Sequence, residues 1–97
     1  MSMFERLGSL LKDKRVEKGI TQMSLARELG YSSPQFVSNW ERGMCSPAFD
    51  TLPLISKLLG IPKKEIIELI LDETRSELEV NFAKGLKTKP KAFKARA

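Results

Sequence analysis

The chain of 97 residues contains no histidine and a single cysteine, Cys45. Histidine is the usual general acid–base catalyst near neutral pH and a common zinc ligand, so its absence excludes both roles. One cysteine allows neither an internal disulfide nor a zinc site built from several cysteines. No pair of acidic residues beside a nucleophile replaces these groups. The sequence therefore argues against an enzyme and predicts no metal and no cofactor.

Long apolar runs are also absent. No segment approaches the roughly 18 consecutive apolar residues that suggest a membrane-spanning helix. The first residues, Met1 to Arg6, lack the basic and apolar parts of a secretory signal. We therefore expect no membrane partner and a cytoplasmic location. The length suffices for one small domain and a short tail.

The net charge of +5 is concentrated at the carboxyl end of the chain. Residues 1–83 hold 11 basic and 12 acidic residues, whereas residues 84–97 hold six basic residues and no acidic one. Lysine-rich composition with Gly85 and Pro90 is typical of a disordered tail. Such a tail either adds salt-sensitive affinity for DNA through counterion release or only keeps the protein soluble.

Apolar residues recur at helical spacing through residues 4–83, with no strand pattern and no internal repeat. Turn and cap signals predict five helices. The first covers residues 4–18 and ends at Gly19, the second covers residues 22–29 and is capped by Thr21, and the third covers residues 33–42, with Ser33 as cap and Pro34 as first residue. The fourth is capped by Asp50 and ends at Gly60, and the fifth begins at Pro62. The last helix either continues to about residue 84, which we favour, or breaks near Asp72 and restarts at a capping box of Thr74 and Glu77.

The second and third predicted helices are short and are joined by a turn that contains Gly30. This is the arrangement of a helix-turn-helix, whose second helix fits the DNA major groove, about 12 Å wide. Gln35 and Asn39 lie four residues apart and so share one face, where each can form two hydrogen bonds to adenine. Val37 and Trp40 lie on the opposite face, which predicts that they belong to the core.

Residues 7–70 carry an ordered set of motifs: Thr21-Gln22-x-x-Leu25-Ala26-x-x-Leu29-Gly30, then Val37-Ser38-x-Trp40-Glu41-Arg42-Gly43, then Pro47 and Leu52-x-x-Ile55-x-x-Leu58-Leu59-Gly60-Ile61. This set resembles the lambda-repressor-like (Xre/Cro-type) helix-turn-helix family of phage and bacterial transcriptional regulators. The resemblance implies an all-α, five-helix fold. Its parts would be a DNA-binding domain of helices 1–4 over residues 1–62, an extended C-terminal helix over residues 63–83, and a basic flexible tail over residues 84–97.

The resemblance also implies which residues contact DNA. Those matching base-contacting positions are Pro34, Gln35, Ser38 and Asn39, and those matching phosphate-contacting positions are Gln22, Ser33, Arg42 and Met44. Glu41 matches a structural acidic position, for which Arg15 is a candidate partner. The sequence departs from the family in the turn, because six residues rather than five separate Gly30 from Val37. Tyr31, in this longer turn, either packs within it or reaches DNA.

Apolar residues continue along the C-terminal helix beyond what a small core needs, at Ile67, Ile70, Leu71, Leu78 and Phe82. An apolar stripe on a protruding helix is an exposed patch unless a partner covers it, which predicts a homodimer. Two recognition helices related by two-fold symmetry can bind a pseudo-palindromic operator with half-sites about 34 Å apart.

The implied function is sequence-specific binding to double-stranded DNA in a bacterial or phage-infected cell, in association with the nucleoid. Repression by promoter occlusion is favoured, because the chain has no room for an effector domain. Activation through RNA polymerase stays open, with Glu65, Glu68, Asp72 and Glu73 as the contacts. The alternative function is that of an antitoxin, which binds a toxin through the C-terminal helix and represses its own operon.

Overall fold

The computed structural model describes residues 4–85, and all the regular structure in this range is helical. The elements are α1 (Glu5–Glu17), α2 (Gln22–Glu28), α3 (Gln35–Glu41), a single 3-10 turn (Phe49–Thr51), α4 (Leu52–Leu59) and α5 (Lys63–Lys84). The predicted all-α fold with five helices is confirmed. The predicted tail lies outside the described residues, except for Lys84, which is the last residue of α5, and Gly85.

The helix ends follow local chemistry, with two corrections to the expected caps. The Thr21 hydroxyl accepts a hydrogen bond from the Ser24 N–H (3.0 Å), as predicted for the cap of α2. Helix α3 begins at Gln35, because residues 31–34 are used by the long turn, although the Ser33 hydroxyl still accepts from the Gln35 N–H (3.3 Å). Asp50 does not cap α4. It lies in the 3-10 turn, and α4 begins after it without a side-chain cap.

The core is formed by apolar residues from all five helices. Helix α1 contributes Leu7 and Leu11, and the residues buried against them are Leu25, Ala26, Val37, Trp40, Ile55, Leu59, Ile61, Ile66 and Ile70. Trp40 is only 3% exposed, so the prediction that it belongs to the core is confirmed. The two short helices α2 and α3, which could bury little alone, pack against each other, and α3 packs against α1.

Helix α1 passes very close to α3 at Gly8. A Cβ atom built on Gly8 would lie 2.3 Å from the Trp40 carbonyl oxygen and 2.9 Å from that of Glu41. Only glycine allows this separation, because both obstructing atoms belong to the backbone. Gly8 interrupts an otherwise ordinary helical pattern in the sequence, and the close approach of α1 to α3 explains why glycine stands there.

Helix α5 is continuous over 22 residues, which confirms the favoured prediction of one long helix without a break near Asp72. Its Glu73 side chain caps the start of α1, accepting from the N–H groups of Arg6 (2.8 Å) and Leu7 (3.2 Å). Because the first N–H groups of a helix have no partner within it, this carboxylate joins the two helices. The Arg6 guanidinium binds Asp72, and that hydrogen bond raises the pKa of Arg6 above its ordinary value.

These contacts correct two expectations for α5. Glu73 is 8% exposed and is bonded to the start of α1, so it does not belong to a free acidic surface for polymerase, whereas Asp72 is paired with Arg6 but its side chain stays 56% exposed. Ile70 is 7% exposed and packs in the core, so it does not belong to the surface stripe. Over the described residues, no helix is long and apolar enough to span a membrane.

Candidate nucleic-acid interface

The turn between α2 and α3 presents α3 on the surface of the domain. Gly30 ends α2 with a positive φ of 90°, a conformation that glycine adopts at little cost, and the Tyr31 N–H donates to the Ala26 carbonyl (2.9 Å). The Tyr31 ring then stacks on Phe36, with centroids 4.6 Å apart, and meets Trp40 edge-on at 5.9 Å. The longer turn is thus accommodated by packing the Tyr31 ring against α3.

The outer face of α3 carries a chain of polar side chains. Gln35 Nε2 donates to Asn39 Oδ1 (3.0 Å), and Arg42 Nη2 donates to the same oxygen (2.8 Å). Gln35 and Arg42 are exposed, while Asn39 is half-buried. Bidentate recognition of adenine by Asn39 needs the same amide oxygen. Binding of a base edge there would therefore exchange these intramolecular hydrogen bonds for bonds to DNA.

A buried network beneath α3 connects three helices. Arg15 of α1 donates to Glu41 through Nε (2.5 Å) and Nη2 (3.1 Å), and its Nη1 donates to the Ile20 carbonyl (2.7 Å). The two side chains are only 11% and 3% exposed, so the predicted partnership of Arg15 with Glu41 is confirmed. Both ions have strong partners, which is the condition under which a buried pair is tolerated.

Gln22 is tied into this network, because its Nε2 donates to Glu41 Oε1 (2.9 Å). A primary amide nitrogen has two N–H groups, so one is used by Glu41 and the second is available to a phosphate oxygen. The buried carboxylate therefore sets the position of the side chain at the start of α2. It also fixes the end of α3, since Glu41 is the last residue of that helix.

The loop after α3 differs from the expectation for Met44. The Met44 N–H donates to the Asn39 carbonyl (3.0 Å) and the Gly43 N–H to the Trp40 carbonyl (3.0 Å). These amides complete the carbonyl pairing at the end of α3, so they are not free donors for phosphate. Of the remaining predicted contacts, Ser33 is exposed, while Pro34 and Ser38 are half-buried on the surface of α3.

One residue on this surface was missed by reasoning from the sequence. Phe36 is 50% exposed in α3, between the polar Gln35 and the buried Val37. Phe36 lies four residues before the buried Trp40 and three before the polar Asn39, so helical spacing places it at the border between the core and the polar face. That spacing was the available signal.

An all-α domain that holds a short, polar-faced helix across a turn from a second short helix has the helix-turn-helix arrangement. The family model for helix-turn-helix proteins matches residues 11–66, more than half of the chain. The chain belongs to this helix-turn-helix family, as the motifs of the sequence predicted.

Three curated proteins are similar to the chain. The cryptic phage CTXphi transcriptional repressor RstR of Vibrio cholerae is 28% identical over 84% of this chain and 65% of its own length. The ImmF control region 10 kDa protein of Bacillus phage phi105 is 39% identical over 59% of this chain and 62% of its own length. An uncharacterized HTH-type transcriptional regulator, y4dJ, of Sinorhizobium fredii is 34% identical over 69% of this chain and 86% of its own length.

The chain thus spans slightly less than two thirds of the length of the first two relatives. No solved structure gives a significant match to the chain.

Proposed function

We propose that the protein is a transcriptional regulator that binds double-stranded DNA sequence-specifically and represses transcription by occupying an operator. The observation that supports this most directly is the exposed polar face of α3, held in place by the buried Arg15–Glu41 pair. The similarity to a protein named as a phage repressor supports repression over activation. The burial of Glu73 removes one of the four acidic contacts expected for activation through polymerase.

The dimensions of α3 suit the major groove. An α-helix with its side chains is about 10–12 Å across, which fits a groove about 12 Å wide. In this arrangement Pro34, Gln35, Ser38 and Asn39 face base edges, with Gln35 and Asn39 reading adenines. Gln22, Ser33 and Arg42 flank this face and would contact phosphates, which fix the orientation of the helix on the duplex.

Selection of bound sequences from a random DNA library, at a stated salt concentration, tests this function. We expect a pseudo-palindromic site. Gln35→Ala should weaken binding to that site by about 1–3 kcal/mol and relax preference at one base pair of each half-site. Ser76→Ala, at an exposed polar position on α5, is the control and should bind as the wild type does. Equal binding to all sequences would contradict the proposal.

The dimer that we propose uses an apolar stripe on α5, defined as Ile67, Leu71, Leu78 and Phe82. Their side chains are 44%, 62%, 53% and 82% exposed, which is costly in water for a contiguous apolar surface. The stripe is symmetric about the midpoint between Thr74 and Arg75. In a two-fold pair of antiparallel α5 helices, Ile67 would face the partner's Phe82 and Leu71 the partner's Leu78.

The surface beside the stripe fits this register. Phe49 and Leu52 lie next to Ile67 and Leu71 and form with them a shallow apolar groove. Phe49 itself is 69% exposed. In the antiparallel register the partner's Phe82 approaches this groove at Ile67, so a protruding ring meets an apolar recess at both ends of the interface.

The variants Leu78→Glu and Val80→Glu test the dimer. The two positions lie on the same helix and are almost equally exposed (53% and 51%), but Val80 lies off the stripe. Leu78→Glu should weaken the dimer by about 100-fold or more, because two leucines leave the interface and two charges enter it. Val80→Glu should leave the dimer intact. Sedimentation equilibrium measures both. A monomeric wild type would contradict the dimer and leave the stripe for another protein, as the antitoxin alternative predicts.

A further inference from the structure

The recognition helix exposes one large apolar side chain where polar contacts to bases are expected. Phe36 is the second residue of α3, and half of its surface is accessible. It directly follows Gln35 and lies three residues before Asn39, so it borders Asn39 on the helix surface. The ring lies at the edge of the core, four residues before the buried Trp40, and half of its surface is left free beside the polar face of α3.

The Phe36 ring is also held in a fixed position. It stacks on Tyr31 with an interplanar angle of 27°, and Tyr31 meets the buried Trp40 at 69°. Both geometries are the preferred arrangements of aromatic pairs. This series of rings connects Phe36 to the core through the longer turn. A ring supported in this way presents its free surface beside Gln35 and Asn39 without the entropy loss of ordering a mobile side chain.

The major groove offers one apolar group to such a surface, the C5-methyl of thymine. Phenylalanine is one of the side chains that makes this contact, and thymine is the partner of the adenine that Gln35 or Asn39 would read. We infer that Phe36, positioned by Tyr31, is a specificity-determining residue that contacts a thymine methyl group next to the bases read by the polar face of α3. This inference rests on the proposed function, because it assumes that α3 enters the major groove.

The test uses the selected operator with each thymine replaced in turn by deoxyuridine, which lacks the methyl group and keeps the base-pairing edge. For the wild-type protein we expect one thymine in each half-site at which the replacement weakens binding about fourfold, the effect of one buried apolar carbon. Phe36→Ala should bind the thymine and deoxyuridine operators equally. Phe36→Leu should retain part of the difference, and Val80→Ala, at a similarly exposed apolar residue far from α3, should retain all of it.

The outcomes separate the inference from the function on which it rests. Sequence-specific binding by a wild type that is insensitive to every deoxyuridine replacement overturns the role of Phe36 alone. A thymine preference that Phe36→Ala leaves unchanged does the same. Absence of sequence-specific binding by the wild type overturns the proposed function and the inference together. The deoxyuridine series on the wild-type protein needs no variant, so poor folding of Phe36→Ala would not remove the test.

Discussion

Replacing Glu73 with alanine should loosen α5 from the rest of the domain. The Glu73 carboxylate accepts hydrogen bonds from the Arg6 and Leu7 N–H groups at 2.8 and 3.2 Å, and the residue is 8% exposed. Its loss leaves two donors at the start of α1 without their partner and opens a void between the helices. Water can reach the Arg6 N–H more easily than the buried Leu7 N–H, so only part of the lost pairing is recovered.

The magnitude follows from these contacts. A buried donor without a partner costs about 1–3 kcal/mol, and a carboxylate near a helix start contributes a further ~0.3–1 kcal/mol. We expect Glu73→Ala to lower the free energy of unfolding by about 2–4 kcal/mol, a large part of the roughly 5–15 kcal/mol that a domain of this size has. The midpoint of thermal unfolding should fall by about 10 °C or more. Glu73→Gln keeps one acceptor oxygen and should have an intermediate effect.

Asp72→Ala is the matched control. Asp72 is the adjacent residue of α5, and its pair with Arg6 is more than half exposed at both ends. Exposed pairs contribute about 0–1 kcal/mol, so this variant should unfold close to the wild type. Urea denaturation followed by circular dichroism measures all three variants. If Glu73→Ala and Asp72→Ala were equally stable, the carboxylate cap would not join α5 to α1, and our account of how α5 is positioned would be wrong.

Three further predictions address the recognition helix and the tail. Arg15→Met should cost about 3–5 kcal/mol of stability by leaving Glu41 as a buried charge, and Arg15→Met combined with Glu41→Leu should recover much of it in a double-mutant cycle; additive losses would argue against a direct pair. Gly8→Ala should destabilise the domain by about 1–3 kcal/mol despite its higher helix propensity, whereas the exposed Ser9→Ala should not, and a stable Gly8→Ala would show that α1 can move away from α3. Removing residues 86–97 should flatten the salt dependence of DNA binding and keep the operator preference, and an unchanged salt slope would show that this segment does not contact DNA.

The fold was predictable from the sequence where a residue type favours one local structure for one physical reason. Thr21 before α2 and Gly60 after α4 mark helix ends by their own backbone and hydrogen-bonding chemistry. The ordered motifs over α2 and α3 predicted the helix-turn-helix, and the family match agrees with them. The prediction that Asp50 caps α4 was wrong, because a 3-10 turn starts one residue before Asp50 and so short a turn leaves little pattern in the sequence.

The site was only partly predictable because its parts come from distant positions. Glu41 and Arg15 are separated by 26 residues, and the sequence offered their pairing only through the family resemblance. The use of Gln22 by the same carboxylate, and of Asn39 by both Gln35 and Arg42, depends on rotamers that the helix pattern does not specify. Likewise, periodicity could not separate Ile70 from Leu71 on α5, because they are adjacent apolar residues and the pattern alone does not show which of them faces the core.

The sequence by itself determined the class of this protein, through helix periodicity, end signals and an ordered motif, which act over a few residues at a time. It also located the net charge in residues 84–97, so the proposed recognition of DNA is expected to depend on the polar face of α3 and not on overall basicity. The tertiary structure decided how that face is held. The close approach at Gly8, the Arg15–Glu41 pair, the Glu73 cap and the ring series ending at Phe36 all join residues from different elements. Only tertiary packing specifies such contacts, because each of them joins residues that are distant in the sequence, and the role of each side chain depends on its partner.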